Sequence, residues 1–315
     1  QGVSSAASDV YKRQVMTRSG FVAILGRPNV GKSTLLNAIV GAKVSITSST
    51  PHTTRNQVRG IWTEGDVQIV FVDTPGIHRP KSSLGGRMNN TARASTSGVD
   101  MVIAVIEARG EIGPGDRQVI SAVLEAAGEH GPLPMVLVNK IDRTAHEDIA
   151  KHLLAASEVV DELAEKLGAQ KAAQRVEFFP LSAKIGRGVP EFVEYVAARM
   201  PEGPFFYPED EVSDLSEVQY IAELVREQLF RKMREEIPHS LHCRVAEYEW
   251  PNVTVEILVE RESQKGMVIG KGGLVLKDVG TEVRKQMPEG AFLELRVRVE
   301  PGWQGRDDML DRFGY

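Results

Sequence analysis

Short apolar runs alternate with longer amphipathic stretches through the first two thirds of the chain. The apolar runs predict buried strands at residues 21–25, 100–106, 134–138 and 175–179. The amphipathic stretches predict helices at residues 33–40, 115–127, 145–167 and 189–199. Residues 57–63 and 67–72 are also strand-like, and the tight turn between them predicts an antiparallel hairpin. The alternation favours an α/β domain over residues 16–200, a mostly parallel sheet flanked by helices.

The pattern changes after residues 201–212, which are rich in proline and glycine and are interpreted as a linker. Beyond the linker, residues 213–300 predict a second, α+β domain. Its helices are expected near residues 215–235, 265–269 and 274–287, and its strands at 243–249, 254–260 and 291–299. Residues 301–315 are interpreted as a tail that forms a surface arm, in which Trp303 packs rather than stacks on a base.

Composition narrows the class of protein. The 315 residues are enough for about two domains. The net charge of −5 means that any contact with nucleic acid must be local rather than driven by overall charge. A single cysteine, Cys243, excludes an intramolecular disulfide and fits a reducing cytosol. No apolar run approaches the length of a membrane span.

The N-terminal stretch differs from the rest. Residues 1–15 are polar, rich in small side chains and without apolar periodicity, whereas Met16 directly precedes the first strand. We therefore expect Met16 to be the natural start and residues 1–15 to be a non-native or disordered extension. No function is assigned to them.

A phosphate-binding loop follows the first strand. The pattern G-x-x-x-x-G-K-[ST] is matched by Gly26-Arg27-Pro28-Asn29-Val30-Gly31-Lys32-Ser33. A strand, this loop and a helix start in that order direct backbone N–H groups at an anion. Lys32 is expected to reach the β- and γ-phosphates, and the Ser33 hydroxyl to bind Mg²⁺. The alternative is a glycine-rich turn with a chance lysine.

Two later segments are predicted to sense the γ-phosphate. A Thr- and Ser-rich loop over residues 48–56 is a candidate switch, in which Thr54, or failing that Thr53, reaches Mg²⁺. The strand at 67–72 ends in Asp73-Thr74-Pro75-Gly76. Asp73 is expected to hold Mg²⁺ through a water molecule, and the Gly76 N–H to contact the γ-phosphate. Lys32, Thr54 and Gly76 are thus the candidate catalytic residues. An ordinary solvated loop and a Pro-Gly turn are the alternatives.

Ile77 occupies the position at which many GTPases carry a water-orienting glutamine. Its aliphatic side chain cannot orient water, so slow intrinsic hydrolysis is expected. The backbone, a bound potassium ion or a partner would then position the water. Residues 77–87 are rich in glycine, serine and basic side chains and are expected to be mobile.

Guanine specificity is predicted from two further loops. The strand at 134–138 leads into Asn139-Lys140-Ile141-Asp142, and the strand at 175–179 leads towards Ser182-Ala183-Lys184. The Asp142 carboxylate can accept from N1–H and from the exocyclic amine of guanine, a donor pair that adenine lacks. Asn139 would brace the loop, Lys140 would pack over the purine, and the Ala183 N–H would meet O6. The alternative for Asp142 is a helix N-cap.

The second domain carries a glycine-rich turn between two predicted helices. Its helix and strand order is that of a type II KH domain, with the G-x-x-G position at Gly270-Lys271-Gly272-Gly273. Small residues there let a sugar–phosphate backbone approach closely. Lys265, Lys271 and Lys277 supply positive charge, and Val268 and Ile269 are expected to line the groove for the bases. A glycine-rich turn without RNA is the alternative.

At these motifs, residues 20–315 resemble the bacterial Era family of GTPases. The phosphate loop, then HTTRN, DTPG, NKID and SAK, and finally VIGKGG occur in the family's order. The resemblance implies a Ras-like P-loop GTPase domain followed by a KH domain, with GTP or GDP bound together with Mg²⁺. The extension before Met16 departs from the family pattern.

The resemblance also implies partners. Era-like proteins bind small-subunit (16S) ribosomal RNA near its 3′ end through the KH domain, and they act in assembly of the 30S ribosomal subunit. They are described as partly membrane-associated, which implies a cytoplasmic protein that is peripheral at the inner face of the cell membrane. We expect a monomer. Hydrolysis is expected to release residues 48–55 and 77–87 and so change how the KH domain docks.

Other functions stay open at the level of the sequence. A related GTPase that acts in tRNA modification or large-subunit assembly would share the nucleotide motifs but would lack the C-terminal G-x-x-G unit. A passive RNA-binding module would use its nucleotide site only to stabilise the fold. An ATP-dependent kinase is disfavoured by Asn139 and Asp142, and a membrane regulator is supported only by a mixed amphipathic helix.

Overall fold

The computed structural model describes residues 16–315 except residues 49, 52, 79, 81, 234 and 235. The predicted extension, residues 1–15, lies outside the described residues. Residues 49 and 52 of the first predicted switch segment and residues 79 and 81 of the second also lie outside the described residues. So do residues 234 and 235, at the end of the helix predicted over residues 215–235.

A six-stranded sheet forms the centre of the N-terminal domain. Its strands are β1 (Arg18–Gly26), β2 (Val58–Glu64), β3 (Val67–Asp73), β4 (Met101–Glu107), β5 (Leu133–Asn139) and β6 (Glu177–Pro180). The spatial order is β2-β3-β1-β4-β5-β6; β2 is antiparallel to β3, and the other neighbouring pairs are parallel. The predicted hairpin and the mostly parallel sheet are confirmed.

Helices cover both faces of this sheet. They are α1 (Lys32–Val40), α2 (Ser83–Ala94), α3 (Pro114–Ala127), α4 (His146–Leu167), α5 (Gln170–Ala173) and α6 (Val189–Ala197). Successive β4 residues alternate between two cores: Val102 and Ala104 join the core that contains α3 and α4, whereas Met101 and Ile103 join the core that contains α1 and α6. Because parallel strands end at the same edge, the loops after β1, β3, β5 and β6 meet there.

Helix α2 begins at Ser83, inside the segment that the sequence predicts to be mobile. The Ser82 hydroxyl accepts a 3.2 Å hydrogen bond from the Gly85 N–H and caps the helix. Leu84 and Met88 are buried in a cluster with the C-terminal tail. Glycine and asparagine are poor helix formers, so this helix depends on a tertiary contact that the local pattern does not reveal.

The second domain is a three-stranded sheet covered by helices. It contains α7 (Glu217–Lys232), α8 (Ile237–Ser240), β7 (His242–Glu249), β8 (Asn252–Val259), α9 (Glu262–Ile269), α10 (Leu274–Arg284) and β9 (Phe292–Val299). Strand β8 is central, antiparallel to β7 and parallel to β9. Its residues Val253, Val255, Ile257 and Val259 enter a core shared with α7 and α10. The predicted α+β fold is confirmed.

The C-terminal tail is folded, and its prediction as a surface arm is wrong. It forms a 3₁₀ turn at Trp303–Gly305 and helix α11 (Asp307–Arg312). Trp303 has no exposed surface and clusters with Leu84 of α2 and Leu258 of β8, and its indole N–H donates to the Ser240 carbonyl at 2.9 Å. Trp303 therefore packs, as predicted, and the tail joins the two domains.

The linker also packs against the first domain. The Gln68 side chain of β3 accepts from the N–H groups of Phe206 and Tyr207 at 2.8 and 3.0 Å and donates to the Tyr207 carbonyl at 2.9 Å. The ring of Phe206 lies 4.6 Å from that of Phe21. These contacts fix the path of the chain between the domains.

Candidate nucleotide site and RNA-binding loop

The phosphate loop joins β1 to α1 and places Lys32 in a buried position. The Lys32 ammonium donates to the carbonyl oxygens of Gly26 and Arg27 at 3.1 and 3.0 Å. Burial lowers the pKa of Lys32 from 10.5 to about 8, and the attraction of Asp73 opposes that change. Lys32 is therefore held within the loop by carbonyl groups that phosphate oxygens can replace as acceptors.

Three oxygen-bearing side chains, from the start of α1, the predicted switch segment and the end of β3, converge on one point. Ser33 Oγ donates to Asp73 Oδ2 at 2.6 Å and lies 2.8 Å from Thr54 Oγ1, and Thr54 Oγ1 donates to Asp73 Oδ2 at 3.3 Å. The Thr53 hydroxyl instead donates to the Thr50 carbonyl at 2.7 Å. Thr54, rather than Thr53, thus lies beside Ser33 and Asp73.

This convergence fits Mg²⁺. Asp73 is fully buried, and its Oδ1 has no hydrogen-bond partner in the part of the chain that the structure describes. Burial raises the pKa of Asp73, against the attraction of Lys32 and the hydrogen bonds from three hydroxyls. Mg²⁺ is commonly held by one or two carboxylates together with phosphate oxygens. Consistently, the described residues contain no cluster of three or more His, Cys, Asp or Glu side chains that could hold a metal alone.

Gly76 approaches the phosphate loop too closely for any side chain. A Cβ at this position would lie 2.6 Å from the Pro28 nitrogen, so only glycine permits the contact. The next residue, Ile77, donates its N–H to the Gly26 carbonyl at 3.1 Å, and its side chain is buried in the core. The side chain of Ile77 therefore packs in the core and does not line the pocket.

Other predicted nucleotide residues support the loops from behind. Val30, Thr74 and Ile141 are buried, and the Thr74 hydroxyl donates to the Ile24 carbonyl at 2.8 Å. Arg27 points to Asp116, with 3.0 Å between Nε and Oδ1. These side chains hold the backbone in place and do not line the cavity described below.

Asn139 connects three of the predicted loops. Its Nδ2 donates to the Val30 carbonyl at 2.8 Å, and its Oδ1 accepts from the N–H groups of Lys140 and Ala183 at 2.8 and 3.0 Å. The predicted bracing role thus has a geometric basis. Because the Ala183 N–H is already paired with Asn139, its contact with guanine O6 stays a prediction.

Lys140 bridges the base-reading loop and the phosphate loop. Its ammonium donates to the Asn29 carbonyl at 2.7 Å and to Glu107 at 2.5 Å. Asn29 and Lys140 have φ of 67° and 68°, values that are uncommon for residues with a side chain. Such backbone conformations concentrate at ligand sites, where the surrounding contacts stabilise them.

A cavity of about 380 Å³ lies between these loops. Its lining includes the predicted residues Pro28, Asn29, Gly31, Lys32, Ser33, Thr54, Gly76, Asn139, Lys140, Asp142, Ala183 and Lys184. Among these, Asp142 accepts a hydrogen bond at Oδ1 from the Ser182 hydroxyl at 2.5 Å. The hydrogen-bonded carboxylate and the phosphate loop therefore share one cavity.

Sequence reasoning missed several residues around the cavity. Thr34, Ile46, Thr47 and Arg143 line it, and the Ser45 hydroxyl donates to Asp73 Oδ2 at 3.2 Å. Glu107, the partner of Lys140, stands at the carboxyl end of β4. Its position at the end of a buried strand is the signal that could have identified it.

The glycine-rich turn of the second domain joins α9 to α10. Gly270 has φ of 73°, and a Cβ there would lie 2.5 Å from Val275 Cγ2, so the turn requires glycine. Lys271 and Lys277 are exposed, and Lys265 and Ile269 are half-buried. These residues are accessible, as RNA contact requires.

The prediction that Val268 lines a groove for the bases is wrong. This residue is fully buried in the core of the second domain and cannot line a groove for bases. The exposed apolar residues beside the turn are Met267 and Leu274, which are 52% and 61% exposed. Within the single turn of α9 that precedes the glycines, Met267 and Val268 point in different directions, and the sequence alone did not distinguish them.

Comparison with known proteins assigns a family to each domain. Residues 21–140 match the family described as 50S ribosome-binding GTPase, and residues 236–304 match the KH domain family. The chain is 42% identical to GTPase Era of Mycobacterium tuberculosis (strain H37Rv) over 308 residues, which cover 94% of this chain and 98% of the relative. It is 40% identical to GTPase Era of Mycobacterium avium over 309 residues, with 95% and 99% covered.

Solved structures agree over the same length. A variant of Aquifex aeolicus Era bound to GDP and AlF4⁻ superposes with a TM-score of 0.83 at 34% identity, covering 95% of this chain and 99% of that one. Era in complex with MgGDPNP and nucleotides 1506–1542 of 16S ribosomal RNA gives 0.83 at 35% identity, with the same coverage. The chain therefore belongs to the Era family of GTPases.

Proposed function

We propose that this protein is a GTP-hydrolysing switch that binds the 3′ region of 16S ribosomal RNA and acts in assembly of the 30S ribosomal subunit. The observation that carries the proposal is the cavity in which Lys32, Ser33 and Asp142 lie together. It combines a phosphate-binding lysine, a hydroxyl for Mg²⁺ and a carboxylate that can select guanine. The Era complex with MgGDPNP and a 16S RNA fragment supports the same pairing of ligands.

The geometry supports a proposed role for each of these residues. Lys32 would exchange its carbonyl acceptors for β- and γ-phosphate oxygens, and Ser33, Thr54 and Asp73 would hold Mg²⁺. Bound Mg²⁺ neutralises charge on the phosphate oxygens. The Gly76 N–H would contact the γ-phosphate. Since the side chain of Ile77 is buried, no side chain at that position orients the attacking water, and intrinsic hydrolysis should be slow.

The RNA site would lie on the second domain at the turn between α9 and α10. Its glycines let a sugar–phosphate backbone approach, and Lys265, Lys271 and Lys277 provide charge for the phosphates. Ile269, with the exposed side chains of Met267 and Leu274, offers apolar surface for the bases. The protein has a net charge of −5, so this local cluster has to provide the attraction.

Three finer points belong to the proposal. A bound potassium ion would position the attacking water, which a glutamine side chain does in many GTPases. The protein would be a cytoplasmic monomer with peripheral association at the inner face of the cell membrane. In the described part of the chain, no helix combines the length and the apolar character needed to span a bilayer.

The test measures phosphate release from GTP with and without an RNA fragment from the 3′ end of 16S RNA. We expect slow release that requires Mg²⁺, is competed by GDP but not by ATP or ADP, and is abolished in Lys32→Ala. Crosslinking of the GTP-analogue complex to the same RNA should map to residues 265–277. RNA binding without any phosphate release would instead identify a passive RNA-binding module.

A further inference from the structure

Arg55 extends from the predicted switch segment of the first domain into the second domain. It follows Thr54 directly in the chain and is only 3% exposed. Its guanidinium donates to the carbonyl oxygens of Leu241, Pro238 and His239 at 2.6, 2.9 and 3.2 Å. These three acceptors come from the end of α8 and the residue that follows it. A single side chain therefore attaches the position next to the predicted Mg²⁺ ligand to the RNA-binding domain.

The surroundings of Arg55 fix the position of its guanidinium. The carbon of the guanidinium group lies 5.9 Å from the ring centre of Phe230 and 6.0 Å from that of Trp303. Trp303 belongs to the C-terminal tail and is itself bonded to Ser240. A planar group with several donors matches this arrangement of carbonyl groups and ring faces, which a lysine ammonium would match only in part.

The other end of the switch segment is attached to the same domain. Glu227 of α7 is fully buried, and it accepts from the Thr47 N–H at 3.0 Å and from the Lys43 ammonium at 2.6 Å. The chain from Thr47 to Arg55 thus lies between two anchors on the second domain. Thr54 lies within this stretch and reaches Ser33 and Asp73.

We propose that Arg55 is a positioning residue through which the second domain holds Thr54 against the predicted Mg²⁺ site. The proposal rests on the GTPase function proposed above and names the side chain that links its two sites. Thr54 is expected to contact Mg²⁺ only in the triphosphate state, so Arg55 should favour GTP over GDP. Because linkage is reciprocal, the triphosphate should in turn strengthen the attachment of the second domain.

The experiment is a double-mutant cycle on the full chain, read by affinity for GDPNP and for GDP in excess Mg²⁺. In Arg55→Ala we expect the affinity for GDPNP to fall about tenfold, within the usual range of such couplings, and the affinity for GDP to change little. In a Thr54→Val background, Arg55→Ala should have no further effect on the ratio of the two affinities. Arg55→Lys should restore part of the ratio, and Glu227→Gln, at the other anchor, should lower it.

Arg59→Ala is the matched control, because Arg59 is a more exposed arginine that also contacts the second half of the chain, through Asp214 at 3.2 Å. It should leave the ratio unchanged. Equal losses for GDPNP and GDP in Arg55→Ala, or additive effects with Thr54→Val, would overturn the positioning role. If Arg55→Ala does not fold, Arg55→Lys and Glu227→Gln decide the question by the same ratio. A wild-type protein that shows no preference for guanine nucleotides would refute the proposed function instead.

Discussion

The hydroxyl group of Ser182 donates a 2.5 Å hydrogen bond to Oδ1 of Asp142, which lines the same cavity as the phosphate loop. The two residues follow different strands, β6 and β5. The bond fixes the orientation of the carboxylate and accounts for one lone pair of Oδ1. We therefore predict that Asp142 accepts from a base whose edge carries two donors, the property that distinguishes guanine from adenine.

Asp142→Asn should exchange guanine specificity for xanthine specificity. Xanthine carries an oxygen where guanine carries its amine, and an amide side chain can donate to that oxygen while it accepts from N1–H. We expect the ratio of GTP to XTP affinity to fall by roughly 10²-fold or more, since unpaired buried polar groups carry a large cost. Competition binding with both nucleotides measures the ratio, and an unchanged ratio would remove Asp142 from the base site.

Asp73→Asn should weaken Mg²⁺ rather than the nucleotide as such. The carboxylate accepts hydrogen bonds from three hydroxyl groups and has one oxygen without a protein partner among the described residues. Losing its charge should lower the apparent Mg²⁺ affinity of the GTP-analogue complex about 10–100-fold. Titration of Mg²⁺ against nucleotide dissociation measures this effect. Asp66→Asn, in the exposed turn between β2 and β3, should have none.

Gly272→Asp should weaken RNA binding selectively. Gly272 has φ of 62°, and a Cβ added there would meet no atom within 4 Å, so space is available and the new carboxylate would face the RNA backbone. We expect at least about tenfold weaker binding of the 16S fragment at matched salt. Gly65→Asp is the matched control, since Gly65 has φ of 59°, equally open surroundings and a place in the first domain. Similar losses in both variants would contradict an RNA site at this turn.

The nucleotide loops were predictable because their chemistry ties residue types to fixed spacings after buried strands. Lys32 follows β1, whereas Asp73 and Asn139 are the last residues of β3 and β5, and the topology alone brings them to one edge. The contacts of Arg55 were not predictable in this way. Its acceptors are the backbone carbonyls of Pro238, His239 and Leu241, and no side-chain pattern marks a carbonyl.

The tail was misjudged for a related reason. Trp303 stands between polar and glycine residues, and its buried surroundings come from α2, β8 and α11. These elements lie far apart in the sequence, so no local window contains the cluster. Likewise, the sequence did not show whether Val268 or Met267 faces the core. The structure shows that Val268 does.

His242 of β7 lies in the contact between the second domain and the C-terminal tail. Its ring stacks on Phe313 at 4.2 Å, and its Nδ1 lies 2.7 Å from the Tyr315 hydroxyl. Burial lowers the pKa of His242 well below 6.5, and the charges of Arg55, Arg226 and Arg244 lower it further. The folded protein therefore keeps this imidazole neutral at pH values where the unfolded chain binds a proton.

From that difference, the free energy of unfolding should decrease as the pH falls below 6.5. The unfolded state then binds one proton more than the folded state, so His242 contributes a loss of about 1.4 kcal/mol per pH unit, down to its folded pKa. Well above pH 6.5 both states are neutral at this site and the contribution is constant. Denaturant unfolding between about pH 7.5 and 5.0 measures the slope.

His242→Phe should reduce this slope, whereas His130→Gln should retain it, because His130 lies on the surface with its side chain 87% exposed. A slope that is identical in all three proteins would show that His242 is not kept neutral by the fold.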